Sequence, residues 1–506
     1  MTSQQAAEAG RPIATASTEV SPDAGAIALR GGAIRVAGYV AGVLISLAAA
    51  TILVRHLGIP GFGRYVTVMS LIALVGGVTE AGTYVYGIRE FTARAASDRQ
   101  MFMSNLLTMR LGLAAVGVAL AVCFSLVAGY KSVLVLGALV AGAGLLAQVT
   151  GDVLSISLQA QLELGRLTAV DLARRLLALV LIGLLALLGA GLLPLLAAQV
   201  VAAGVAVGLV AWIVRSSTRI RLSFDLQAWR HLLRESSLYA IAMSIGAIYF
   251  YVTVVLMSLI ASATQTGFFA TSFRVTQVAL GVPVLLLTAI FPLMSREPID
   301  EGHRAGTIGK VFTVAVICGV WMSIVIALGA SFLIELIAGS KGRGAIAVLR
   351  IQGIVLTASF ISASSSLRLI SLRRYRPLIF ASLLALALDL ALGLALIPGL
   401  GARGGAWADV ITEALAALGL TAVLMRAAPQ HDIKASLAAP VLLAGGLSAT
   451  TLLLPVAPLA RAIIATLIYF SVLALTRTLP EELFRAIPRA RPRSAAAVDA
   501  HRRRTR

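Results

Sequence analysis

"GFFATSFRVTQVALGVPVLLLTAIFP", residues 267–292, reads as one long apolar helix with a single charge in it, Arg274. A helix rises 1.5 Å per residue, so about 20 residues cross the hydrocarbon core of a bilayer, and this stretch is long enough to do so. An arginine at the middle of a spanning helix costs about 2.5–3.5 kcal/mol on insertion scales. Three arrangements offset that cost: an anionic ligand in a polar cavity, a carboxylate partner, or a snorkelling side chain that reaches the membrane surface. Which of them holds for Arg274 is the functional question.

Composition extends the reading to the whole chain. Of its 506 residues 59% are hydrophobic and 13% charged, with mean hydropathy +0.94. Soluble domains run near 45–50% apolar and about 25% charged. The expected fold is therefore all-α and polytopic, with about fourteen transmembrane helices: 34–57, 64–86, 103–128, 133–157, 168–189, 191–214, 237–261, 267–294, 308–337, 345–370, 377–397, 404–426, 435–456 and 459–477. The net charge of +20 does not point to nucleic acid, because the basic residues fall in short segments between apolar runs with no basic–aromatic stripe. Of the 42 basic residues only Arg55, Arg64, Lys131, Lys341, Arg343, Arg350, Arg403 and Arg461 fall on one set of alternating loops, Arg110 and Arg274 are counted within spans, and about 32, Arg174 and Arg175 among them, are counted with the other set. The positive-inside rule then puts both termini in the cytoplasm.

The chain divides accordingly. Residues 1–30, polar and lacking the layout of a signal peptide, are expected as a disordered cytoplasmic tail. Residues 31–215 form an N-terminal transmembrane lobe, 216–236 a cytoplasmic linker, and 237–427 a C-terminal lobe. Residues 428–478 add two further helices, and 479–506 are a basic cytoplasmic tail. The two lobes echo each other. "HLGIPGFGRYVTVMSL" (56–71) aligns with "IASATQTGFFATSFRV" (260–275), matching Gly63 with Gly267 and Tyr65 with Phe269. "LLGAGLLPLLAAQVV" (187–201) aligns with "IPGLGARGGAWADVI" (397–411), again a little over 200 residues on. Six spans separate the matches, so the repeat is parallel, the arrangement in which transporters bind substrate between halves near the midplane.

Enzyme and nucleotide motifs are missing. "GTIGKV" (306–311) lacks the spacing and hydroxyl of a Walker A loop, and neither HExxH nor GxSxG occurs. The one G-x-G-x-x-G, "GLGARG" (399–404), follows an apolar run rather than a strand, so its glycines are read as a turn. Cys123 and Cys318 lie inside apolar runs without metal-ligand spacing. No catalytic residue, cofactor, metal or nucleotide is expected.

At residues 52–96, "ILVRHLGIPGFGRYVTVMSLIALVGGVTEAGTYVYGIREFTARAA", the chain resembles the opening of bacterial polysaccharide repeat-unit flippases. These belong to the multidrug/oligosaccharidyl-lipid/polysaccharide exporter superfamily. The shared pattern is Arg-x-Leu-Gly, Phe-Gly-x-Tyr, acidic-x-Gly, then Arg-Glu. "TGFFATSFRVTQVALGVPVLLLTAIFPLMSRE" (266–297) and "ALIPGLGARGGAWADVITEAL" (395–415) are similar to later parts of the same pattern; Asp389 departs from it, standing where asparagine is frequent. The resemblance implies two helical lobes around a central cavity. It also implies an activity: moving polyprenyl-pyrophosphate-linked oligosaccharides across the cytoplasmic membrane, with a polysaccharide polymerase complex as a candidate partner. Arginine suits a diphosphate because its planar fork donates two parallel hydrogen bonds.

Arg274, Arg55, Arg64 and Arg110 are the candidate substrate-binding residues. Arg110 could equally snorkel, and Arg55 and Arg64 could simply anchor an interface. Among the acids Glu80, Asp152, Asp171, Asp389, Asp409 and Glu413, the deeper Asp152 and Asp389 are the candidates for ion coupling. Asp171 is spaced to pair with Arg174 or Arg175. Competing readings are a lipid-linked peptidoglycan precursor flippase, a drug/cation antiporter of the same superfamily, and a membrane scaffold. An antiporter for cations should line its cavity with acids, so the sign of the cavity charge separates it from a flippase. The topology is open to direct test: an impermeant thiol reagent added to intact cells should label Lys341→Cys and leave Arg219→Cys unlabelled. The reverse pattern would overturn the span assignment.

Overall fold

Backbone N–H and C=O groups surrounded by hydrocarbon must be satisfied within the chain, which leaves helices or closed barrels. The computed structural model, which describes residues 22–80, 82–215, 223–296, 301–372, 374–427 and 438–478, answers with helices and, among those residues, no strand. They are α1 (Pro22–Glu80), α2 (Thr83–Ala93), α3 (Ala96–Val127), α4 (Ser132–Ala160), α5 (Leu164–Leu187), α6 (Leu192–Val214) and α7 (Leu226–Ile260). There follow α8 (Ala263–Arg296), α9 (Glu301–Ala338), α10 (Gly344–Ser371), α11 (Tyr375–Leu400), α12 (Ala402–Ala427), α13 (Ala438–Ala449) and α14 (Pro458–Leu475). Ten described segments are long and apolar enough to cross a membrane.

α1 contains two crossings. Its helical geometry breaks at Gly58, with φ 69° and ψ 171°, and Pro60 follows. A left-handed φ favours glycine, which carries no Cβ. Ser46 and Ala73 line one and the same cavity, whereas a straight helix would separate them by about 40 Å. The helix therefore doubles back at Gly58 into two limbs. At the same end, Gly129, Gly189, Gly339 and Gly401 also take positive φ in the tight turns between successive helices. Short turns of this kind make successive helices antiparallel neighbours.

The parallel repeat is visible in the packing. The first limb of α1 lies against α5, where a Cβ on Gly42 would meet the Arg175 side chain, and α7 lies correspondingly against α11. α4 packs on α6 as α10 packs on α12. The last two helices stand outside the repeat and cover α9 through Val441, Ala444, Tyr469 and Leu473, with the Tyr469 hydroxyl donating to the Ile317 carbonyl at 3.0 Å. Three boundaries differ from the hydropathy reading. α1 begins at Pro22, so the end of the segment expected as a disordered tail is helical, while residues 1–21 and 479–506 lie outside the described residues. α7 begins at Leu226, inside the expected linker, because its first turns are polar and escape a hydropathy window. α13 is shorter than the expected 435–456 span and gives way to a 3-10 turn at Thr450–Leu453.

The matched glycines of the repeat meet each other. A Cβ on Gly63 would come 2.7 Å from the Gly267 nitrogen, and one on Gly267 would run into the Ile59 carbonyl oxygen. Residues that are equivalent in the two halves can touch only on the axis relating those halves, so the second limb of α1 and the start of α8 cross there. Nearby, the Arg55 guanidinium donates to the Leu336 carbonyl at 2.7 Å, and Tyr130 hydrogen-bonds Ser258, so this end is closed across the halves. Gly267→Ala should push the two backbones apart and lower stability by about 1–3 kcal/mol, the usual cost of overpacking. Thermal unfolding in detergent checks this. Gly419→Ala, where nothing lies within 4 Å, should leave the midpoint unchanged or slightly raised.

Candidate functional site: a cationic cavity between the halves

A cavity of about 250 Å³ lies between the halves, below the glycine crossing. Its walls come from both limbs of α1 (Ser46, Ala50, Leu53, Tyr65, Met69, Ser70), from α5 (Arg174, Arg175), α6 (Gln199), α7 (Tyr251) and α8 (Phe273, Arg274, Gln277). Three arginines and no carboxylate line it. The apolar faces of these helices bury Leu53, Phe62, Ala270 and Val275 against each other, and that packing holds the polar residues toward the space that remains.

Arg274 lies on the cavity wall, where its guanidinium donates to the Gln277 side-chain carbonyl at 2.7 Å. Among the described residues no carboxylate lies within ion-pair distance of it. Tyr65, the repeat partner of Phe269, also faces the cavity and accepts from Gln199 at 3.3 Å.

Arg174 and Arg175 are cavity residues that the sequence reading grouped with the cytoplasmic segments. Asp171 binds both, as its spacing requires: its two oxygens accept from Arg174 Nη2 at 2.9 Å and from Arg175 Nε at 2.8 Å. Arg175 also donates to the Ser46 hydroxyl at 2.9 Å, which ties α5 to α1. The available signal was an Arg-Arg pair two to three turns inside an apolar run, too deep for a loop.

The other arginine candidates are placed elsewhere. Arg55 and Arg64 are exposed at the closed end and do not line the cavity. Arg110 is 2% exposed within the first half, and its Nε and one terminal nitrogen have no hydrogen-bond partner. Asp152 and Glu80 are the charged groups around it. Asp152 faces a separate space of about 110 Å³ together with Gln148, Ser155, Asp171 and Arg174. Arg174 therefore borders both spaces.

Asp389 lies in the second half, 1% exposed, in a cluster that no linear motif announces. Thr253 Oγ1 is 2.8 Å from Asp389 Oδ2 and 2.8 Å from Asp409 Oδ1. Glu413, one turn beyond Asp409, accepts from the Tyr249 hydroxyl at 2.7 Å. A threonine hydroxyl has one hydrogen to donate, so two ionised carboxylates on it need a second positive group between them. The other oxygen of Asp389 has no partner. Gln352 bridges from Asp409 at 3.5 Å to the Ser272 hydroxyl, two residues from Arg274 on α8. Among the described residues no three His, Cys, Asp or Glu are spaced to hold a metal ion.

The arrangement of helices is shared with known transporters. The lipid II flippase MurJ in an inward closed conformation superposes with a TM-score of 0.71 at 12% identity, covering 89% of this chain and 99% of that one. An inward-facing multidrug resistance MATE family transporter of the MOP superfamily gives 0.60 at 16% identity, over 80% and 100% of the two chains. An outward-facing conformation of such a MATE transporter gives 0.53 at 16%, over 79% and 95%. These likenesses define the class: a polytopic membrane protein with the MATE-like transporter fold. No curated protein matches the chain. The family model described as polysaccharide biosynthesis protein matches residues 28–297, and the chain belongs to that family.

Proposed function

We propose that the protein flips polyprenyl-diphosphate-linked oligosaccharide repeat units across the bacterial cytoplasmic membrane, by alternating access through the cavity between its halves, with both termini in the cytoplasm. The observation that carries this reading is the wall charge: three arginines, one of them without any carboxylate, around a space reachable from both halves. A diphosphate is the group such a wall favours, because guanidinium offers paired donors in a low-dielectric site. The sugar travels in the polar space and the polyprenyl tail remains in lipid. Wall cations disfavour the drug/cation antiporter, whose substrates they would repel. Family membership favours a polysaccharide repeat unit over a peptidoglycan precursor. Arg274→Ala should abolish flipping of lipid-linked intermediates in vesicles and leave the protein level unchanged, since no buried acid is stranded. Arg274→Lys should keep part of the activity, because one charge-assisted hydrogen bond is worth roughly 1.5–3 kcal/mol. Wild-type flipping by Arg274→Ala would sink the assignment.

No nucleotide motif is available to drive the step, so the reading assigns coupling to an ion at Asp389 and Asp409. One proton completes the hydrogen-bond count on Thr253, and so does one small cation between the carboxylates. The Gln352–Ser272 bridge supports transmission to α8. Asp152, open to its own polar space, is the second candidate. Flipping by Asp389→Asn should lose its sensitivity to a proton or sodium ionophore, and Asp152→Asn shows whether the first half shares the task. An Asp152→Asn, Asp389→Asn double variant that flips normally and stays ionophore-sensitive would remove ion coupling at these residues.

A further inference from the structure

A lipid flippase with a cationic cavity faces a competitor problem, because the bilayer is full of phosphodiester lipids that also carry negative heads. The geometry around Asp171 offers a solution. Asp171 does not line the central cavity, yet it holds two of the three arginines that do. Arg174 and Arg175 spend donors on one carboxylate, and Arg175 spends another on Ser46. Only Arg274, across the cavity on the other half, is bound to nothing stronger than a neutral amide.

We propose that Asp171 is a specificity-determining residue, which competes for Arg174 and Arg175 so that the cavity admits a diphosphate-linked lipid and turns away singly charged phosphodiester lipids. The inference rests on the lipid-diphosphate reading above and adds the residue that sets its selectivity. A singly charged head satisfies Arg274 and then has no charge left to draw Arg174 or Arg175 from a carboxylate already bonded at 2.8–2.9 Å. A diphosphate diester carries two charges on neighbouring phosphorus centres. One engages Arg274 while the other takes over a donor from Asp171, and that exchange bridges the two halves. Three arginines and one carboxylate leave a balance of two positive charges, equal and opposite to the diester head. Discrimination here comes from an internal competitor rather than from added contacts to the preferred ligand.

The test uses the purified full-length protein in detergent and two probes: a short-chain isoprenyl diphosphate carrying one N-acetylhexosamine, and short-chain phosphatidylglycerol. The wild type should bind the first and release it poorly to the second. Asp171→Asn should bind phosphatidylglycerol about tenfold more tightly, the order of one charge-assisted hydrogen bond, with diphosphate binding changed much less. The selectivity ratio then falls. Asp171→Glu, which keeps the competing charge, should restore most of it. A ratio unchanged in Asp171→Asn overturns the proposal, whether both affinities hold or both drop together, since a merely structural aspartate would move them alike. If Asp171→Asn does not fold, Arg174→Gln supplies the measurement: with Asp171 holding Arg175 alone the balance falls to one positive charge, so the preference for the diphosphate probe should fall, and a ratio unchanged or raised there overturns the proposal. Failure of the wild type to bind the diphosphate probe at all removes the lipid-diphosphate reading together with this inference, an outcome distinct from a constant ratio.

Discussion

The halves of this protein are organised about a single close approach, where the backbone of α1 at Gly63 meets that of α8 at Gly267. Neither position has room for a β-carbon. Helices in hydrocarbon gain nothing from leaving water, so their association relies on van der Waals contact, and small residues let backbones come close. Here that contact also lies on the pseudo-symmetry axis. The cavity exists because the helices meet at one end and diverge below it, and its wall residues are those brought to face each other by the crossing. Leu53, Phe62 and Ala270 pack just beside it, so the polar wall begins where the apolar seam ends.

Symmetry of backbone is not symmetry of charge. The first half brings Arg174 and Arg175 to the cavity on α5 and stores Asp171 behind them. The second half brings Arg274 and holds Asp389, Asp409 and Glu413 against Thr253 and Tyr249 of α7, outside the cavity lining. A duplicated scaffold has thus been given two chemistries. Arginines face the shared space, and an acidic cluster lies within one half, joined to α8 through Gln352 and Ser272. The ring of Tyr65 facing the cavity, set against its repeat mate Phe269 buried at 0% exposure, shows the same divergence at the level of a single matched pair.

Most of the fold was legible because hydrocarbon imposes a one-dimensional rule. Apolar runs of about 20 residues read directly as crossings, and the glycine match between 63 and 267 pointed to the residues that touch. The site was legible in part. Arg274 stood out because it was alone in an apolar run, and the Asp171 pairing followed from helical spacing. A charge count along the chain places Arg174 and Arg175 with a cytoplasmic segment because it does not know which face of α5 looks inward. The Thr253–Asp389–Asp409 cluster joins positions up to 156 residues apart, and no periodicity within one helix reports a contact between three. Arg55 and Arg64 flank the first outer turn, and position along the chain does not distinguish a cavity wall from a rim.

α7 has a position in the molecule that governs how the halves can move. Its first turns belong with the first half: Leu232 is buried with Phe91, Phe102 and Met103, and the Trp229 ring lies against Gly112. Its last turns belong with the second, where Met257 packs with Phe269 and Ala406. A rod clamped at each end to a different body cannot let those bodies swing without bending. If the halves rock about the glycine crossing, the strain collects near the middle of α7, where Gly246 has open space around it, two turns before Thr253 meets the two carboxylates. The helix is then a spring as well as a wall.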